Sequence, residues 1–130
     1  MASKKILIVD DEADIRTFLD TLLKESGYET AVAADGDSGF DLLQSFKPDL
    51  VTLDIIMPRE TGHKFYRRLI KDPHFKNTPV IILSGVTRYK ELFGRDHKTM
   101  PKPFAFVEKP IVPEELIAKI EEAIASKEKV

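Results

Sequence analysis

The chain has 130 residues, of which 42% are hydrophobic and 32% are charged, and this length and composition are typical of one soluble globular domain. Its 20 basic and 22 acidic residues leave a net charge of −2, which gives no general reason to expect direct contact with nucleic acid or an anionic membrane. The absence of cysteine excludes disulfides, and no apolar run approaches the ~20 residues that span a bilayer, so we predict a single cytoplasmic domain over residues 1–130.

Short apolar runs that recur along the chain predict strands. Each run is continuous rather than alternating, which is typical of strands buried on both faces of a parallel sheet. In chain order, the predicted strands cover residues 6–9, 30–33, 50–53, 80–83 and 104–107.

Amphipathic patterns between these runs predict helices. The first pattern is followed by Gly27, which suits a C-terminal cap, and the last begins at Pro113, which suits a first helical position. The second covers about residues 37–46, and we expect a short fourth helix around 88–93 within the irregular segment 85–103. The residues predicted to face inwards from the first, second, third and last helices are Ile15, Phe18, Leu19, Leu22, Leu23, Phe40, Leu43, Phe46, Phe65, Leu69, Ile70, Leu116, Ile117, Ile120 and Ile124.

The alternation of strand and helix along the whole chain predicts the fold class. With right-handed crossovers it gives an α/β, doubly wound (βα)5 sandwich around a parallel five-stranded sheet, and the flavodoxin-like strand order is 2-1-3-4-5. In such folds the functional site lies at the carboxyl ends of the strands, near the point where the strand order reverses.

Polar residues stand at the carboxyl ends of four predicted strands. Asp10 and Asp11 follow the first strand, Asp54 the third and Ser84 the fourth, and Lys109 follows the fifth. If the first and third strands are neighbours, three carboxylates converge at one edge of the sheet, with a hydroxyl and an ammonium beside them.

Three carboxylates at close range repel one another strongly, so positive charge is needed. Lys109 supplies one charge, and a hard divalent cation with oxygen ligands would supply two more, for which Mg²⁺ is well suited. A carboxylate, Mg²⁺, a hydroxyl and a lysine together suit phosphoryl transfer, with Asp54 as the nucleophile.

Each of these residues also has a purely structural explanation. Asp11 or Glu12 could only cap the following helix, and Asp54 could be a hydrogen-bonded turn residue. Ser84 alone would be a loop hydroxyl and Lys109 alone a surface lysine. Because separate strand ends each supply a residue type needed at one point, we favour the functional interpretation.

Five stretches of the sequence resemble the receiver domain of bacterial two-component response regulators. "ILIVDDE" resembles the first strand of that family with its acidic pair, and "DIIMPRETG" is similar to the strand end that carries its phosphoacceptor. "PVIILSG" resembles the fourth strand, "FVEKP" the fifth strand with its Lys-Pro, and "AADGDSGFDLL" the entry to the second helix. The ordered set covers nearly the whole chain.

The resemblance implies a phosphoacceptor and a metal site. Asp54 would accept a phosphoryl group from the phosphohistidine of a sensor histidine kinase or of a phosphotransfer protein. Asp11, Asp54 and the backbone carbonyl of Ile56 would hold Mg²⁺, and Asp10 would contribute through water. The domain would catalyse only its own phosphorylation and dephosphorylation.

The resemblance also implies a switch. Ser84 and Lys109 would bind the phosphoryl oxygens, and Phe106, which stands where the family often has tyrosine, would turn inward when Ser84 moves. The surface of the fourth helix, fifth strand and last helix would then bind a downstream protein or a second copy of the chain. No DNA-binding domain of usual size fits after Pro113, so we expect no direct contact with nucleic acid and none with a membrane.

Three alternatives belong to other functional classes. A Mg²⁺-dependent aspartyl-phosphate phosphohydrolase would need an acid or base two residues after Asp54, where Ile56 stands. A flavin or nucleotide module would need a phosphate-cradling loop after the first strand, where "DDEADIR" presents carboxylates instead. A docking module of the same fold that is never phosphorylated remains open.

Overall fold

The strands form one parallel sheet that matches the predicted topology. The structure, a computed structural model, describes residues 3–84 and 103–128. Within them the sheet has five strands in the order β2-β1-β3-β4-β5, which confirms the doubly wound, flavodoxin-like arrangement. The strands are β1 (Lys5–Val9), β2 (Glu29–Ala33), β3 (Leu50–Asp54), β4 (Val80–Ser84) and β5 (Ala105–Glu108).

Helices cover both faces of the sheet. The described ones are α1 (Ala13–Glu25), α2 (Gly36–Phe46), α3 (Thr61–Lys71), which follows a 3₁₀ turn at Pro58–Glu60, and a C-terminal helix (Pro113–Glu128). The short helix expected around 88–93 lies outside the described residues. No described helix is long and apolar enough to cross a membrane.

Two layers of apolar side chains hold the helices to the sheet, one on each face. One layer joins the sheet to α2 and α3 through residues such as Leu53, Phe65 and Leu69. The other joins it to α1 and the C-terminal helix through residues such as Ile8 and Leu116. Each fully buried side chain of this size stabilises the fold by roughly 1.5–3 kcal/mol.

The predicted burial is wrong at three places on the surface, one of which is Phe104 of the predicted fifth strand, 40% exposed next to the edge strand β5. Phe18 was expected to face inwards from α1, yet it is 39% exposed. It lies at the margin of the apolar stripe of α1, and Leu19 and Leu23 are the buried residues at the centre of that stripe. Strand β2 was expected to be buried on both faces. It is an edge strand with β1 as its single neighbour, and Val32 is 41% exposed.

Two glycines allow turns that bring the elements into place. Gly27 follows the end of α1 with φ of +94°, a backbone conformation that glycine adopts without steric cost. A Cβ at Gly62 would lie 2.7 Å from the backbone oxygens of Asp54 and Ile55, so only glycine lets the start of α3 approach the end of β3 this closely. The loop between β3 and α3 is thereby held against the strand end.

Candidate functional site: an acidic pocket at the strand ends

The sheet register brings the predicted polar residues to one edge. Val9 pairs with Leu53, so Asp10 and Asp54, the next residues along β1 and β3, reach the same level. Asp54 in turn pairs with Leu83, the residue before Ser84. Asp10, Asp54 and Ser84 are all buried, so these polar groups sit under the surface rather than in a solvated loop.

Lys109 is the cation at the centre of the pocket. Its Nζ lies 3.1 Å from Asp10 Oδ2, 3.2 Å from Glu12 Oε1 and 3.4 Å from Asp54 Oδ2. The side chain is itself largely buried, and its backbone N–H donates to the Ser84 carbonyl at 2.8 Å. The Lys109–Pro110 peptide bond is cis. Lys109 is therefore a member of the pocket and not a surface lysine.

Glu12 belongs to this pocket, although its position in the sequence predicted no more than a possible helix cap. It occupies the N-cap position of α1, but its side chain makes no capping hydrogen bond and contacts Lys109 instead. The turn is held by Asp10, whose Oδ1 accepts from the Glu12 N–H at 2.9 Å. The signal that could have found Glu12 is its position directly after Asp10 and Asp11, three residues past the end of β1.

The carboxyl group of Asp54 is held on both sides. Oδ1 accepts a hydrogen bond from the Ile56 N–H at 3.0 Å, while Oδ2 faces Lys109. Burial raises the pKa of Asp54; Lys109 opposes this effect, Asp10 adds to it, and the result is about 7. Asp54 is thus a carboxylate whose negative charge is poorly compensated by the protein alone.

Lys109 is protonated in the pocket. Burial alone would lower the pKa of its ammonium group, but the carboxylates of Asp54 and Asp10 outweigh burial and raise the pKa above its usual value. Lys109 therefore stays a cation at neutral pH and supplies one positive charge to the pocket.

The carboxylates could together hold a cation. Asp10, Asp11, Glu12 and Asp54 each offer one oxygen, and these oxygens lie within 4.8 Å of one another. Asp11 and Glu12 are exposed, so the cluster opens to solvent on one side. Hard oxygen donors around an undercompensated carboxylate fit a hard divalent cation better than a transition metal.

The remaining predicted site residues lie at the border of the pocket. Ile56 follows the end of β3 and is 43% exposed. Phe106 lies on β5, paired in register with Ile82, and its partly buried ring packs against the apolar layer under α2 and α3. Phe106 is therefore joined to the core and not to the carboxylate cluster.

Comparison with known proteins finds several relatives that match most of this chain. The chain is 29% identical over 122 residues to protein Rrf1 of Nitratidesulfovibrio vulgaris, covering 94% of this chain and 83% of that protein. It is 33% identical to response regulator Rre1 of Synechocystis, covering 92% of this chain and 51% of that protein. With the probable transcriptional regulator ycf27 of Cyanophora paradoxa the identity is 36%, over 90% of this chain and 46% of that protein. The chain thus spans about half the length of several relatives.

Solved structures of response regulators have the same fold as this chain. Chemotaxis response regulator CheY4 of Vibrio cholerae has a TM-score of 0.82 at 28% identity, covering 94% of this chain and 99% of that one. A CheY-like receiver domain protein from Methanospirillum hungatei has a TM-score of 0.85 at 26% identity, covering 98% of both chains. The sequence model of the response regulator receiver domain matches residues 6–121. The chain therefore belongs to the receiver-domain family of two-component response regulators, whose role is phosphoacceptor signalling.

Proposed function

We propose that this receiver domain accepts its phosphoryl group on Asp54, from the phosphohistidine of a sensor histidine kinase or of a phosphotransfer protein. The observation that carries the proposal is the geometry of Asp54. One oxygen of this buried carboxylate accepts a hydrogen bond from the Ile56 N–H, and the other faces Lys109. Family membership supports the same residue, since Asp54 lies within the matched segment.

The reaction is a direct displacement. An oxygen of the Asp54 carboxylate attacks the phosphorus, the bond from phosphorus to the donor imidazole breaks, and the imidazole nitrogen keeps the electron pair. The product is an acyl phosphate. The Ile56 N–H fixes the orientation of the carboxylate, and Lys109 faces the developing charge on the transferring oxygens.

Mg²⁺ is the cofactor that fits the pocket. Asp11, Asp54 and the backbone carbonyl of Ile56 would bind it directly, and Asp10, which Lys109 and the Glu12 N–H already hold, would contribute through water. When bound, Mg²⁺ offsets the charge of the carboxylates and of the phosphoryl oxygens. The exposed position of Asp11 beside buried Asp54 supports this division of roles.

The proposal extends to the response. Ser84, at the end of β4, binds a phosphoryl oxygen, and Phe106 transmits the change to the surface of the fourth helix, β5 and the C-terminal helix. In this proposal the fourth helix is the one predicted from the sequence, outside the described residues, and the surface binds a downstream protein or a second copy of the chain, without direct contact to nucleic acid or membrane. The domain over 1–130 is cytoplasmic and catalyses only its own phosphorylation and dephosphorylation.

Intact-mass measurement after incubation with acetyl phosphate and Mg²⁺ tests this function. We expect one phosphoryl adduct per chain that hydroxylamine removes, no adduct in Asp54→Asn, and an undiminished adduct in Asp41→Asn, an exposed control on α2. An adduct that persists in Asp54→Asn would refute the acceptor. Steady phosphate release without an adduct would favour the phosphohydrolase, and no reaction at all would favour a docking module.

A further inference from the structure

The ammonium group of Lys109 is saturated by three carboxylates. It has three N–H donors, and its nitrogen contacts Asp10, Glu12 and Asp54 at 3.1, 3.2 and 3.4 Å. A phosphoryl group on Asp54 would bring oxygens that need a donor from the same nitrogen. The Asp54 contact weakens because its carboxylate becomes a neutral acyl group, and a phosphoryl oxygen that needs a further N–H must displace either Asp10 or Glu12.

Two of the three acceptors are fixed in place. Asp10 and Asp54 are buried, and each has its second oxygen held by a backbone N–H, that of Glu12 for Asp10 and that of Ile56 for Asp54. Turning either carboxylate away from Lys109 would also break a second hydrogen bond in a buried place. The Asp10 contact is therefore not easily exchanged, whereas the Asp54 contact changes with the modification itself.

Glu12 is different in each respect. Its side chain is 60% exposed and makes no capping hydrogen bond on α1. Among the described residues, the side chain of Glu12 forms one hydrogen bond, and its partner is Lys109. When it leaves Lys109, water can solvate its carboxylate at little cost. The Glu12 contact is therefore the one that yields.

We propose that Glu12 is a placeholder for the phosphoryl group: its carboxylate occupies the N–H of Lys109 that a phosphoryl oxygen takes when Asp54 is modified. This rests on the proposed role of Asp54. Glu12 is thus a positioning residue that keeps Lys109 in the pocket beforehand and competes with the phosphoryl group for the same donor. Removing the carboxylate should make the phosphorylated form easier to reach.

Beryllium fluoride, which mimics a phosphoryl group on an aspartate, measures this competition directly. At saturating Mg²⁺, the protein-bound fluorine signal in ¹⁹F NMR gives the apparent dissociation constant for each variant. We expect Glu12→Gln to bind more tightly than the wild type by up to about fivefold, the upper end of the range expected for removing a competing exposed ion pair.

Two further variants separate the contact from the charge. Asp14→Asn also removes one exposed negative charge from the start of α1, but Asp14 has no contact with Lys109, so its affinity should equal that of the wild type. Glu12→Asp keeps the charge but is one methylene too short to reach Lys109, so it should show most of the gain of Glu12→Gln.

The affinities of the variants test the placeholder role of Glu12 separately from the acceptor role of Asp54. Unchanged or weaker binding in Glu12→Gln would overturn the placeholder role, as would an equal gain in Asp14→Asn or wild-type affinity in Glu12→Asp. These outcomes leave Asp54 as the acceptor. If the wild type itself shows neither bound beryllium fluoride nor a phosphoryl adduct, the proposed function fails, and the placeholder role fails with it.

Discussion

At the scale of single residues, the cost of Asp54 to the fold is the first testable quantity. Because burial raises its pKa to about 7, the folded state binds this proton more tightly than the unfolded state. The stabilisation is complete below about pH 4 and is lost as the pH rises through 7. At neutral pH the ionised carboxylate therefore destabilises the fold.

Asp54→Asn should consequently raise the free energy of unfolding at pH 7.5, in the absence of added Mg²⁺, by about 1–2 kcal/mol. This is less than the full pKa shift would give, because solvent on the open side of the pocket screens the charge. The gain should vanish near pH 4. Urea unfolding at both pH values measures it, and a variant less stable than the wild type at pH 7.5 would contradict the charge assignment.

The two aspartates after β1 should differ in their effect on metal binding. Asp11 is exposed and free of Lys109, whereas Asp10 is buried against it. Asp11→Ala should therefore weaken Mg²⁺ binding by a larger factor than Asp10→Ala, because it removes one of the proposed direct protein ligands. Calorimetric titration decides this, and equal affinities in the two variants would remove the distinction.

Ile56 concerns the lifetime of the phosphoryl group. Its side chain lies two residues after Asp54, and it is apolar and 43% exposed, so it cannot orient an attacking water. We expect the phosphoryl group to decay at least about threefold more slowly in the wild type than in Ile56→Asn. Decay followed by mass spectrometry after removal of the donor gives both rates. A wild-type rate equal to that of the variant would rule out this role.

At the scale of elements, Phe104 and Phe106 provide a matched pair around the start of β5. Phe104 is 40% exposed, whereas Phe106 packs against the apolar layer under α2 and α3. Phe106→Ala should therefore cost about 2 kcal/mol of unfolding free energy without phosphate, and Phe104→Ala about half as much or less. Equal losses would indicate that the Phe106 ring is not directed inward in the unphosphorylated protein.

The secondary-structure elements themselves were largely predictable. Each predicted strand matches an observed one to within one residue at either end, because continuous apolar runs leave little choice in a parallel sheet. The errors at Phe18 and Val32 arose because the sequence pattern does not reveal how wide a contact the neighbouring element offers. Tertiary packing decides that.

At the scale of the whole molecule, the convergence of Asp10 and Asp54 was predictable because topology places the carboxyl ends of the neighbouring strands β1 and β3 together, whereas Lys109 follows β5 and reaches the pair through its long side chain. The role of Glu12 was not predictable. Its carboxylate lies on a residue whose backbone position suits a helix cap, and only the side-chain conformation directs it to Lys109. Strand order determines which residues lie at the same edge of the sheet, but side-chain conformation determines which of them contact Lys109.

The most direct test of the account is the position of the modified residue. After incubation with acetyl phosphate and Mg²⁺, borohydride reduces an aspartyl phosphate to homoserine, and tandem mass spectrometry of the digested chain locates it. We predict homoserine at position 54 and at no other aspartate. Homoserine at Asp10 or Asp11, or stable phosphate on a serine or threonine in place of any homoserine, would contradict the assignment of Asp54 as the phosphoacceptor.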